Sequence, residues 1–520
     1  MKKIIIKGIF SSIILLGTAI SCENNLEEIN ENPNQTLKPL PYGLFNSAMK
    51  ELTDVTRGSF SSARMALPWV QYSAQMNYTE EDRFQFREST NQNFYRDHYR
   101  IAMDLKKIID MNTDPATKDE MTKYGPNENQ IAASRIMLSY IFLELVDAYG
   151  DVPYYSYGNT DSDFQALNLN NVSPKYASQT KIYTDLLKEL KESAEMIDTS
   201  SEVFTGDNYF GGSSLKLKKF ANSLRLRIAI RVKEVIPSAS THITEAIASG
   251  VMTSNDDNVG VTYENNATLP APTYSAFFVD SRTDYTISNT MVDLLKGELG
   301  VFGADPRLQK FAAPVGTSKS SILPFPGKYT ETTDLTKYEG MPYGLINSQT
   351  ATQRDKASLL SSNILRPDYT EIFMEYSEVC FLLSEANGWD DAWYKKGVQA
   401  SMDKWGVAPT TSTAFVAALP AASKANVLTQ KYIALFWQPY ESWAEIRRTG
   451  YPTHLLKPGG EYTLVDGTTK YTFNALMGLT DMPTRLTYPT NLQTLNPDNY
   501  VAAATSIGGD KLTTKLIWDN

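Results

Sequence analysis

The sequence predicts a mainly α-helical protein: a TPR-like scaffold of paired antiparallel helices, joined to a loop-rich portion. Three observations predict it. Apolar residues recur at helical spacing through much of the chain, glycine and proline stand where those runs should stop, and the texture changes between Ser254 and Thr370.

Ile131, Leu138, Phe142, Leu145 and Tyr149 lie 7, 4, 3 and 4 residues apart. That step places them on one face of a helix. Gly150 follows where a helix cap would sit, and Pro153 prevents continuation. Tyr183, Leu186, Leu190, Ala194 and Ile197 keep the same step, as do Leu217, Ala221, Leu224 and Ile228. A further helix is expected through Ile372, Tyr376, Val379, Leu383 and Ala386, and others at 44–55, 94–111, 393–405 and 427–437. Their separations are irregular, with no clean 34-residue period. Residues 254–370 are rich in Gly, Pro, Ser, Thr and aromatics, and ordered loops of this length are usually functional. The tail from Tyr462 is similarly loop-rich, punctuated by Pro483, Pro489 and Pro497.

The N-terminus has the layout of a bacterial secretory signal: Lys2, Lys3 and Lys7, an apolar stretch from Ile9 to Ile20, then Ser21-Cys22. The stretch falls short of the ~20 residues that span a hydrocarbon core. Residues 1–21 therefore read as a lipoprotein signal peptide and Cys22 as the acylated new N-terminus, since several acyl chains together anchor a soluble domain. Residues 22–40, polar and poor in apolar side chains, read as a tether, and 41–520 as one folded domain with its loop-rich insert at about 254–370.

Loss of Lys2, Lys3 and Lys7 takes the formal net charge from −10 to −13. So acidic a body repels phosphate backbones, which excludes nucleic acid as a partner. With Cys22 lipidated only Cys380 remains, so no intrachain disulfide can form and stability must come from core burial. Three histidines and one thiol give a zinc site almost nothing to build from, and no cofactor is expected. Counting leaves an all-oxygen structural calcium site open.

Two aromatic clusters are candidates for ligand binding. The first holds Trp69, Tyr72, Asn77, Tyr78, Phe84 and Arg87; the second Tyr274, Phe277, Arg282, Asp284 and Tyr285. A sugar ring presents apolar C–H faces and a hydroxyl rim, so its site needs flat aromatic surfaces beside amide, carboxylate or guanidinium groups; a peptide can use similar surfaces. Aromatics packed under loops would look the same in sequence. No nucleophile elbow, phosphate-binding glycine loop or HExxH occurs, and none of the 59 acidic residues stands in a recognisable catalytic motif.

Several phrases fall in a telling order. Asn32-Pro33-Asn34 is followed by Asp147-Ala148-Tyr149-Gly150-Asp151-Val152-Pro153-Tyr154, Ile182-Tyr183 and Asn222-Ser223-Leu224-Arg225-Leu226-Arg227. Asp305-Pro306-Arg307-Leu308 and Ser384-Glu385-Ala386 come next, then Glu441-Ser442-Trp443-Ala444-Glu445-Ile446-Arg447-Arg448 and Pro483-Thr484-Arg485-Leu486. Across essentially the whole mature chain this series resembles the SusD/RagB family. The resemblance implies a lipid-anchored outer-membrane protein, exposed at the cell surface, that captures nutrient oligomers without catalysis. Its implied partner is a SusC-like TonB-dependent transporter, met by the helical scaffold. Oligosaccharide is the first ligand expected, with peptide, as for RagB-like proteins, the alternative; a secreted hydrolase or a surface adhesion protein are the competing classes. The motif residues themselves, Arg225, Arg227, Arg231, Asp147 and Asp151 among them, read as structural, on salt-bridged helix faces and turns.

Overall fold

The computed structural model describes residues 39–266, 268–323 and 325–519. The expectations for the signal segment, Cys22 and the tether up to residue 38 fall outside these.

The helices of eight residues or more are α1 Pro41–Arg57, α2 Glu88–Thr113, α3 Asn127–Tyr149, α4 Gln179–Met196, α5 Ser214–Arg231 and α6 Ala239–Ala248. After them come α7 Asn289–Lys296, α8 Tyr376–Ala386, α9 Asp391–Lys404, α10 Pro409–Ala418, α11 Lys424–Ala434, α12 Pro439–Thr449 and α13 Pro497–Ser506. Each of the first five packs on its successor, so the N-terminal half is a row of helical hairpins. The row continues where α5 meets α8, and α8, α9 and α11 close it.

Local chemistry sets the boundaries. Pro41 opens α1, where a missing N–H costs nothing. Ser178, Ser213, Asp390 and Ser423 each accept a backbone N–H of the first turn of α4, α5, α9 and α11. α3 ends at Gly150, whose φ of +87° favours glycine, and whose N–H reaches the Val146 carbonyl at 3.0 Å. Buried at nearly every position from Asn129 onward, α3 is the central pillar of the scaffold.

Two expectations need correction. Ile372 belongs to a strand: β4 Thr370–Met374 pairs antiparallel with β2 Val259–Thr262, and α8 begins only at Tyr376. The Tyr376 N–H donates to Asn258 Oδ1 at 2.7 Å, so a side chain from beside β2 caps the helix and ends the strand. The pairing also requires Gly260, because a Cβ there would lie 2.4 Å from the Glu371 carbonyl. The helix expected at 427–437 ends at Ala434; Trp437, at φ +76°, makes the turn into α12, which Pro439 opens and left-handed Gly450 closes.

The loop-rich stretch holds β2, α7 and β3 Tyr285–Ile287, and its other described residues form short helical turns and irregular loops. β3 pairs with β1 Ser73–Gln75, and β5 Glu461–Thr463 with β6 Lys470–Thr472. One buried apolar cluster runs from Phe45 to Trp518 through scaffold and loops alike. The loop-rich part is therefore fastened to the helices by a common core. Among the described residues no helix is long and apolar enough to cross a membrane.

Candidate binding site

The pairing of β1 with β3 sets Gln75 opposite Tyr285, and the Met76 and Asn77 amides continue it by donating to the Asp284 carbonyl. The two aromatic clusters, some 200 residues apart in sequence, thereby become one surface.

Asp284 is its hub. Its carboxylate accepts Arg64 Nη2 at 3.0 Å, Arg282 Nε at 3.1 Å and Asn77 Nδ2 at 3.4 Å. Arg64 is buried, and its guanidinium lies 5.0 Å from the Phe60 ring and 5.3 Å from the Tyr78 ring. Arg282 stands 6.0 Å from Tyr78. Phe60 and Tyr78 are 44% and 45% exposed, so two large rings face solvent beside one buried ion pair. Glu81 lies 3.7 Å from both Arg64 and Arg87, and burial pushes its carboxyl above the usual range. Tyr78 and Ser281 have φ of +58° and +53°, a left-handed conformation that L-residues adopt at a cost and that is met most often at functional sites. A cleft of about 400 Å³ adjoins, with Phe60, Arg87 and Asn93 among its lining.

A second pair of rings, Tyr274 and Phe278, lies in contact at 5.1 Å with Lys319 5.2 Å from Phe278; both rings are half-buried.

The structure sorts the candidates. Asn77, Tyr78, Arg87, Tyr274, Arg282 and Asp284 are gathered at or beside this surface. Trp69, Tyr72, Phe84, Phe277 and Tyr285 are buried and offer no open ring face. Trp69 packs edge-on against Trp443 at 5.3 Å; Tyr72 bonds through its hydroxyl to the Tyr432 carbonyl and Ser442; Phe84 packs on Phe473. Phe277 and Tyr285 meet at right angles, 5.2 Å apart. These five have the burial of core aromatics, which supply large apolar area. Sequence reasoning missed Phe60, Arg64 and Glu81. Phe60, an aromatic just outside a helix end, carried a weak signal; Arg64 carried none, because its partner Asp284 is 220 residues away.

The arrangement can hold a ligand by ring faces, a guanidinium edge and an amide. Among the described residues no group of three or more His, Cys, Asp or Glu side chains could hold a metal ion.

A family model described as "Starch-binding associating with outer membrane" matches residues 33–489. The chain belongs to the SusD-like family. A solved structure named as a chitin-binding protein is 27% identical, covers 92% of this chain and 100% of its own, and superposes with a TM-score of 0.71. A Bacteroidetes SusD-like structure (24% identity, 92% and 99% coverage, TM-score 0.72) shares the fold. So does a chitin-binding SusD homologue from Flavobacterium johnsoniae (20%, 92% and 98%, TM-score 0.70). No curated protein matches the sequence. Members of the family are associated with the outer membrane, and the helical TPR-like fold is theirs.

Proposed function

We propose that this SusD-like chain is a lipid-anchored, surface-exposed binding protein that captures oligosaccharide and passes it, unmodified, to a SusC-like TonB-dependent transporter. The observation that carries the reading is the pair of exposed rings, Phe60 and Tyr78, flanking the buried Arg64–Asp284 ion pair. Ring faces match the C–H faces of pyranoses, while Asn77 and Arg282 present donors to hydroxyl or acetamido oxygens. The 27%-identical chitin-binding structure points to N-acetylglucosamine oligomers as the first ligands to try. The helical row is the surface offered to the transporter, and Cys22 carries the lipid.

Calorimetry against chito-oligosaccharides, malto-oligosaccharides and peptides, on wild type and on Phe60→Ala/Tyr78→Ala, tests the reading. Each lost ring contact should remove ~1–2 kcal/mol, so the double variant weakens binding ten- to a thousandfold, at about 1.4 kcal/mol per tenfold. Unchanged affinity in a folded double variant rejects the site. Peptide binding without glycan binding rejects the ligand class, and release of a cleaved product rejects pure capture. Recovery of a barrel transporter on affinity purification in mild detergent supports the partner.

A further inference from the structure

Phe84 belongs to the same loop as Tyr78, yet its side chain lines a different cleft, of about 400 Å³. The walls of this cleft come from the end of α12 (Ile446, Arg447, Gly450), the segment 452–457, and the tail residues Asp481, Met482, Thr484 and Asp519. Trp69 lies at its buried floor, 1% exposed.

Two buried polar groups on this lining lack a hydrogen-bond partner among the described residues. One is the indole Nε1–H of Trp69; the other is Oδ1 of Asp519, whose side chain is 2% exposed. The other Asp519 oxygen accepts the Leu516 N–H at 2.8 Å, and Arg447 Nη1, at 4.0 Å from Oδ1, is beyond hydrogen-bond reach. Buried donors and acceptors are almost always paired, so an orphan of each kind on one cleft calls for an explanation. The cleft is also built in advance. Gln71 and Phe84 hold left-handed φ values of +55° and +69°, and the Gln71 amide clamps both backbone groups of Leu456 at 2.8 and 3.0 Å.

The lining defines the guest. A hydroxyl group donates and accepts, so a polyol can satisfy an N–H and a carboxylate oxygen together. Leu455, Leu456 and Met482, all partly exposed, supply apolar wall for C–H faces. Lys457 and Asp481 are paired at 2.6 Å on exposed side chains, Arg447 faces Asp519, and Lys515 is exposed on the tail, so an ion of either sign meets a like charge.

We infer that this cleft is a second binding site, accepting one neutral sugar unit or a polyol of that size. It does not depend on Phe60 or Tyr78 being a glycan surface. The test is ligand-observed NMR titration of the full mature chain with glucose and N-acetylglucosamine, using glucuronate and glucosamine as charged controls. The titrations use the Phe60→Ala/Tyr78→Ala chain, which removes the exposed-ring surface, with and without Met482→Trp, which fills the cleft from its half-buried wall, each first shown to melt as a folded protein. Saturable binding of a neutral sugar is expected, with a Kd on the order of 1 mM. It should weaken at least tenfold when Met482→Trp is added. Binding that survives the addition of Met482→Trp overturns the assignment to this cleft. Tighter binding of either charged sugar overturns the neutral class, and no saturation below about 50 mM overturns the site.

Discussion

Arg227 and Glu378 form a two-pronged ion pair inside the scaffold, with Nε 2.7 Å from Oε1 and Nη2 2.5 Å from Oε2, and both side chains at most 2% exposed. The pair ties α5 to α8. One turn further along α5, Arg231 bonds to Asp147 at the end of α3 and to Glu441 on α12, and Arg448 of α12 reaches Glu385 of α8. Residues of the ordered family phrases thus meet in one buried charge network that locks four helices together.

Removing one partner leaves an uncompensated buried charge, whereas replacing both removes the desolvation cost with the attraction. Arg227→Met or Glu378→Leu alone should therefore lower unfolding free energy by about 3–5 kcal/mol, and the double replacement by clearly less. Urea denaturation of the three variants measures this. Losses that simply add would sink the coupled-pair account.

The helical spacing made most of the scaffold legible, because one-sided burial writes itself into the order of residues: Ile131 to Tyr149 lie in α3, and Tyr183 to Ala194 in α4, with Ile197 just past its end. α12 went unassigned although Pro439 and Gly450 bracket it, since its charged residues Glu441, Glu445 and Arg447 turn inward to the ion network and blur the apolar face. The candidate surface was half legible. Exposed Tyr78 and Arg282 were found by residue type, but composition does not distinguish a ring under a loop, such as Tyr72, from one upon it. No local pattern joins Arg64 to Asp284; only the β1–β3 pairing does.

A buried carboxylate makes stability fall with pH. Glu371, 1% exposed, is driven by burial up to about 8, against the partial help of Arg57 and Lys404. Between its ordinary value, near 4.5, and about 8 the folded state keeps a proton that the unfolded state has released, so folding loses stability as pH rises through that window. Glu371→Gln should then be worth little below pH ~4.5 and raise stability by on the order of 4 kcal/mol near pH 8, flattening above it. Denaturation curves across pH 4–9 check the sign. A benefit largest at acid pH would show the carboxylate to be stabilised when charged.

Anchoring is a separate matter from folding. Cys22→Ala should leave the melting curve of the mature domain unchanged while moving the protein from the membrane to the soluble fraction, because lipid chains supply the membrane affinity. Mass spectrometry of the wild-type N-terminus provides the direct readout, and an unmodified residue there would contradict the assignment of residues 1–21.

The Arg64–Asp284 pair should couple stability to ligand capture. Arg64 holds Asp284 at 3.0 Å, lies near Glu81, and fills the space between the Phe60 and Tyr78 rings, so it orders the surface without itself being open to solvent. Asp284→Asn keeps the shape but leaves Arg64 and Arg282 without their shared charge. Because Arg64 is buried the change should destabilise the fold by about 3 kcal/mol. It should also weaken glycan binding, since Tyr78 sits in a strained left-handed conformation that its surroundings must enforce. Tyr78→Ala should do the reverse: lose affinity by about tenfold while leaving stability nearly unchanged, since the ring is 45% exposed and alanine keeps the same left-handed backbone. Comparing melting temperature and calorimetric affinity for the two variants separates the roles. If Tyr78→Ala cost as much stability as Asp284→Asn, the ring would be a packing element, and the exposed surface would lose its claim to be the site.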